Sequence, residues 1–151
     1  MYYIGIVGSE SKKFTPETEK LARETILTRL KYWMDEHEVT VVSGHCHLGG
    51  VDIYAEEAAD ALGLPKEIYP PKTYSWETGY KVRNLQIAKK SDIVYCITVK
   101  ELPESYVGMR FNYCYHCRNA GWGSTNHVKS GGCYTMHQAI KLGKEGKLII
   151  L

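Results

Sequence analysis

Long apolar runs are missing from this chain, and so is an excess of either charge. A membrane-spanning helix needs about 20 consecutive apolar residues, so no membrane partner is expected. Nineteen basic residues against 17 acidic ones leave a formal charge of +2. That balance speaks against a nucleic-acid partner, which requires basic residues clustered on one face. No basic stretch precedes the apolar segment Met1–Val7, so we expect no signal peptide and a cytoplasmic protein. No repeat, low-complexity tract or linker interrupts the 151 residues, a length that suits a single domain with its own core. Phenylalanine is scarce, with two residues against 12 tyrosines. The aromatic surface therefore carries hydroxyls, which can edge a core or hydrogen-bond while the ring stacks on a ligand. The five cysteines are an odd number and three of them lie near histidines, which favours metal binding over a disulfide framework.

What is present is a regular alternation of short apolar runs and helical patterns. Tyr2 to Val7 is β-rich and ends at Gly8-Ser9, as a buried strand feeding a turn does. Thr15-Pro16-Glu17 reads as a helix start, with a hydroxyl N-cap and proline at the first helical position. Ala22, Ile26, Leu30 and Trp33 then recur at helical spacing to about Asp35. A second strand is expected over Val39 to Val42 and a second helix with Val51, Ala55, Ala58 and Leu62 on its apolar face, stopped by Gly63 and Pro65. Lys66 to Tyr69, a helix over about Gly79 to Lys90, and the strand Asp92 to Val99 follow. A last helix over Tyr134 to Leu142 and a strand over Leu148 to Leu151 close the pattern. Such alternation predicts an α/β fold of three layers, with a parallel sheet of about five strands in the order 3-2-1-4-5. Its ligand-binding crevice should lie beyond the carboxyl ends of the strands.

The segment from about 100 to 130 breaks the alternation, and a patternless stretch of that length needs another organiser. Cys114 and Cys117 form a CxxC pair, and His127 and Cys133 follow after nine and five intervening residues. Thiolates and imidazole at short spacing suit a zinc ion, and four protein ligands leave no position for water. We therefore expect a structural zinc on Cys114, Cys117, His127 and Cys133, with His116 and His137 as substitutes. The zinc deaminase pattern of His-x-Glu with Pro-Cys-x-x-Cys is absent.

Gly8-Ser9, Ser43-Gly44 with Gly49-Gly50-Val51-Asp52, Arg83-Asn84, Ser91-Asp92 and Gly131-Gly132 with Thr135 follow one another along the expected rim. In this order and spacing they resemble the SLOG superfamily, the Rossmann-like group that includes the DprA/Smf and LOG proteins. The resemblance covers nearly the whole chain except the zinc-binding insertion before the last helix. It implies a nucleotide or nucleotide-derived phosphorylated ligand, with phosphate on the last glycine pair, and, by analogy, a dimer. Gly8, Ser9, Ser43, Gly44, Gly49, Gly50, Asp52, Arg83, Asn84, Gly131, Gly132 and Thr135 would form that pocket. LOG proteins carry Pro-Gly-Gly-x-Gly-Thr-x-x-Glu, where this chain has Tyr134 at the third glycine and Gln138 at the acid. Glutamine cannot accept a proton, so a LOG-type phosphoribohydrolase would need another carboxylate, for which Asp52, Glu10 and Glu77 are the candidates. A zinc-dependent nucleic-acid module, with Lys100, Arg110, Arg118 and Lys129 as contacts, is a further alternative.

Overall fold

The structure, a computed structural model, describes residues 1–111 and 113–151. Strand β1 (Tyr2–Gly8) leads through a short 3-10 turn to helix α1 (Pro16–Met34). Strand β2 (Val39–Ser43), helix α2 (Val51–Leu62) and strand β3 (Lys66–Ile68) come next. A single π-helical turn, Trp76–Tyr80, runs directly into α3 (Lys81–Lys90), which precedes β4 (Ile93–Thr98). The short helix α4 (Tyr115–Asn119), then α5 (Gly131–Lys141) and β5 (Glu145–Ile150) complete the chain. All neighbouring strands are parallel, in the order β3-β2-β1-β4-β5 predicted from the alternation. Among the described residues, no helix is long and apolar enough to cross a membrane.

The period of two along β1 divides the core. Ile4 and Ile6 pack with Ala22, Ile26 and Leu30 of α1 and with Val51, Ala55 and Ala59 of α2 on one face. Val7 joins Val42, Val94 and Cys96 on the other face, beneath Ile87 of α3 and Met136 and Ala139 of α5. The start of α1 is held as expected: Thr15 Oγ1 accepts from Thr18 N–H, and Thr18 Oγ1 accepts from Thr15 N–H. At the other end, Trp33 Nε1 donates to Tyr95 Oη at 2.7 Å while its ring stacks on Tyr2.

The starts of α5 and β5 lie ahead of expectation for reasons of local geometry. Helix α5 begins at Gly131, three residues before the apolar periodicity, because Ser130 acts as its N-cap and accepts from Gly132 N–H at 3.1 Å. Glycine carries no apolar signal, so the first turn was invisible to periodicity. Strand β5 begins at Glu145, because ladder pairing with Ile93 and Val94 recruits the polar residues ahead of Leu148. Among its described residues, the segment without periodicity contains one regular element, α4, whose five residues are too few to show a helical repeat.

Candidate metal centre and ligand cavity

The cysteine-rich segment is folded around its own side chains. Cys114 sits in extended backbone immediately before α4, and Cys117 lies one turn into that helix. Helical geometry thus turns both sulfurs to one side. Cys114 N–H donates to Thr125 O, and Trp122 N–H donates to Cys117 O, so the chain doubles back beside the CxxC pair. That return places His127 against it, just before Val128 N–H joins the Val99 carbonyl at the end of the sheet. Cys133, in the first turn of α5, completes the group. One ligand atom from each of Cys114, Cys117, His127 and Cys133 lies within 4.8 Å of the others, and all four residues are buried.

The donor set fits a metal ion. His127 Nδ1 lies 3.2 Å from the Val128 carbonyl oxygen, to which it donates in the Nδ1–H tautomer. Its Nε2 is then a lone pair, fully buried and without a hydrogen-bond partner. A buried unpaired nitrogen is costly unless something else binds it. The sulfurs point the same way. Hydrogen bonds from Cys117 and Cys133 hold the Cys114 thiol far below its ordinary range, and bonding to Cys114 pushes Cys117 and Cys133 far up. A divalent ion held here would bind the three sulfurs as thiolates and would satisfy the imidazole nitrogen. This buried Cys3His cluster can hold a metal ion, and all five cysteines are free thiols. Neither substitute histidine belongs to the tetrad: His137 Nε2 contacts Cys117 Sγ at 3.3 Å, and His116 lines the neighbouring cavity. A hydrogen bond from His137 to a coordinated thiolate is the arrangement that orients and steadies such ligands.

That cavity, of about 670 Å³, opens at the carboxyl ends of β1 and β2, between α3, α4 and α5. Gly132 stands where α5 meets β1; a Cβ there would lie 2.7 Å from Gly8 N, so only glycine lets the helix start this close to the strand. Within the first turn, Gly132 N–H bonds to Ser130 Oγ and Cys133 N–H to the Ser130 carbonyl. Thr135, one turn further on, is among the lining residues, and its Oγ1 is fully buried with no partner. Lys13 reaches across from the loop after β1, and its Nζ donates to the Lys129 carbonyl at 3.1 Å. Burial and the Lys129 charge push the Lys13 ammonium below its usual pKa. Two cations and a helix N-terminus therefore converge on one wall, which is an anion-binding arrangement.

The opposite wall is built on β2. Gly50 adopts φ +86° and a Cβ there would lie 2.2 Å from the Ser9 carbonyl oxygen, which accepts from Val51 N–H, so the start of α2 is tied to the end of β1. Asp52, an expected pocket residue, accepts from Cys46 N–H in the preceding loop. It is buried in the cavity wall, and burial raises its pKa from 3.8 to about 6 despite Arg83, 3.7 Å away. The Arg83 guanidinium, expected in the ligand pocket, donates to the Gly44 carbonyl and to Asn84 Oδ1. Behind it, Glu56 accepts from Ser43 Oγ and lies 2.7 Å from His45 Nδ1. His45 holds φ +47°, in the left-handed region that few residues other than glycine take.

Of the predicted ligand residues, Gly8, Ser9, Asp52, Arg83, Asn84, Gly131, Gly132 and Thr135 line this cavity. Ser43, Gly44, Gly49 and Gly50 shape the loop behind it, and Cys46 and Leu48 face it in their place. Of the three candidate carboxylates, Asp52 and Glu10 are in the lining, whereas Glu77 is solvent-facing, 3.5 Å from Lys81. Of the four basic residues of the nucleic-acid alternative, Lys100 is exposed beyond β4, Arg110 donates to the Pro103, Glu104 and Tyr106 carbonyls, Arg118 lies over Tyr113, and Lys129 lines the cavity. Lys13, Trp76, His116 and Tyr134 were not anticipated. Only Lys13 had a signal, its place in the rim loop after β1. Comparison of the chain with protein-family models, with curated proteins and with solved structures gives no match, so the functional reading rests on this geometry and on the order of the rim motifs.

Proposed function

We propose that the protein binds a nucleotide or nucleotide-derived phosphorylated ligand at the C-terminal rim of its sheet, and that a structural zinc ion orders the phosphate-binding segment. One observation carries the reading: Lys13, Lys129 and the first residues of α5, Gly131 and Gly132, line one cavity at the strand ends. A phosphate there would face the helix N-terminus, and Lys13 and Lys129 would balance its charge. The resemblance of the rim motifs to the SLOG superfamily implies a phosphate at the same glycine pair. Zinc is the metal that matches three thiolates and one imidazole with no open position. Two measurements test the reading. Elemental analysis of the purified protein should give one zinc per chain, and thermal shift should register AMP, ribose 5-phosphate or inorganic phosphate. Absence of stabilisation by all three refutes the phosphate site.

A second reading, turnover of a nucleoside monophosphate to base and ribose phosphate, is favoured by Asp52. A carboxylate with a pKa of about 6 in a cavity wall can exchange a proton near neutral pH. Release of adenine from AMP by the wild type, and its loss in Asp52→Asn or Glu10→Gln, would support hydrolysis. Activity undiminished in both variants would remove these residues from it.

A further inference from the structure

The phosphate reading leaves one part of the cavity unused. Its roof is aromatic and is assembled from three separate stretches of chain: Trp76 from the π-helical turn, His116 from α4 and Tyr134 from α5. The Trp76 and Tyr134 ring centroids are 4.9 Å apart, and His116 lies 6.1 Å from Trp76 and 6.0 Å from Tyr134. Trp76 keeps 38% of its surface exposed, so the indole is only partly used by the protein itself. Asn119, at the end of α4, lines the cavity beside this roof, and its carboxamide carries a donor and an acceptor side by side. Both α4 residues are held by the metal-binding segment, because Cys117 lies between them in the same helix.

We propose that α4, fixed by the metal cluster, is the base-recognition element of the site: an adenine ring stacks on the Trp76 roof and presents its amino edge to Asn119. This rests on the phosphate reading above and adds to it what the rest of the ligand must be. Flat aromatic faces bind any base, since every base has a π-face. An adjacent donor and acceptor on one carboxamide match the N6/N7 edge of adenine, and guanine offers two acceptors there instead. The cysteine segment is thus more than a staple. It builds the wall that separates a nucleotide from a sugar phosphate.

The test is calorimetric titration of the zinc-loaded full-length protein with AMP, GMP and ribose 5-phosphate. AMP should bind at least about tenfold more tightly than ribose 5-phosphate, in keeping with one stacked base, and about tenfold more tightly than GMP. Trp76→Ala should bring AMP to the level of ribose 5-phosphate and leave ribose 5-phosphate within about twofold of wild type. Trp76→Phe, which keeps a ring, should retain the preference. Asn119→Ala should erode the preference for AMP over GMP. Equal binding of AMP and ribose 5-phosphate by the wild type overturns the base site while leaving the phosphate site standing. So does a Trp76→Ala variant, zinc-loaded and folded, that loses both ligands alike, because the roof is then only packing. Failure of all three ligands to bind removes the phosphate reading as well.

Discussion

Replacing Asp52 by asparagine should stabilise this protein at neutral pH and weaken its ligand site. The carboxylate is buried, and desolvation outweighs the Arg83 charge at 3.7 Å, leaving a pKa of about 6 against an ordinary 3.8. Each tenfold change in proton affinity is worth about 1.4 kcal/mol, so holding Asp52 ionised costs about 3 kcal/mol. The native state takes up this proton before the unfolded chain does. Stability from this group is therefore fully present below pH 3.8 and is lost as pH rises through about 6. Asparagine keeps an oxygen for Cys46 N–H and has nothing to titrate. Asp52→Asn should exceed wild type by about 3 kcal/mol at pH 7.5, or about 6–12 °C in Tm, and by nothing near pH 4. Urea unfolding of both zinc-loaded proteins between pH 4 and 7.5 measures the difference, in which the metal ligands and other common groups cancel. A variant less stable than wild type at pH 7.5 would mean that attraction to Arg83 outweighs desolvation. A difference independent of pH refutes the argument equally. If Asp52 also serves the ligand, AMP affinity should fall in the same variant, since function and stability commonly oppose each other at buried charges.

Thr135→Val removes a buried hydroxyl that has no partner, so the ligand-free protein should gain about 1–2 kcal/mol in chemical denaturation while AMP binding weakens severalfold. A valine variant that binds AMP as wild type does would take Thr135 out of the site. Removing the metal with a chelator should lower Tm and AMP affinity together, because α4 and the start of α5 share the cluster. Unchanged affinity in the chelated protein would uncouple the two sites. Cys133→Ser should abolish stoichiometric zinc, whereas Cys96→Ser, whose sulfur lies 3.6 Å from Cys133 but outside the tetrad, should retain it by elemental analysis. Leu30→Ala, at a fully buried position of α1, should cost about 2–5 kcal/mol, against less than about 0.5 kcal/mol for Val107→Ala at a position 91% exposed.

Local periodicity determined most of the architecture. Residues four apart in α1 and two apart in β1 had to face one core, and the alternation of the two periods allowed only a parallel sheet with helices on both faces. The metal tetrad was legible for the same kind of reason, since Cys114 and Cys117 stand one helical turn apart and His127 and Cys133 follow closely. Position in sequence also brought Asp52, Thr135 and the glycines to the strand ends. What it left undetermined were the contacts between segments far apart in the chain. Lys13 meets the Lys129 carbonyl across 116 positions, and Trp76, His116 and Tyr134 share a roof only because α3, α4 and α5 pack on one face. Arg83 was expected in the ligand pocket, but only folding turns its guanidinium onto the Gly44 carbonyl and Asn84. The sequence already named His127 in the tetrad ahead of His116 and His137, but the reason it fits belonged to tertiary structure. Chain doubling-back after α4 points an unpartnered Nε2 at three sulfurs, and no spacing rule contains that turn.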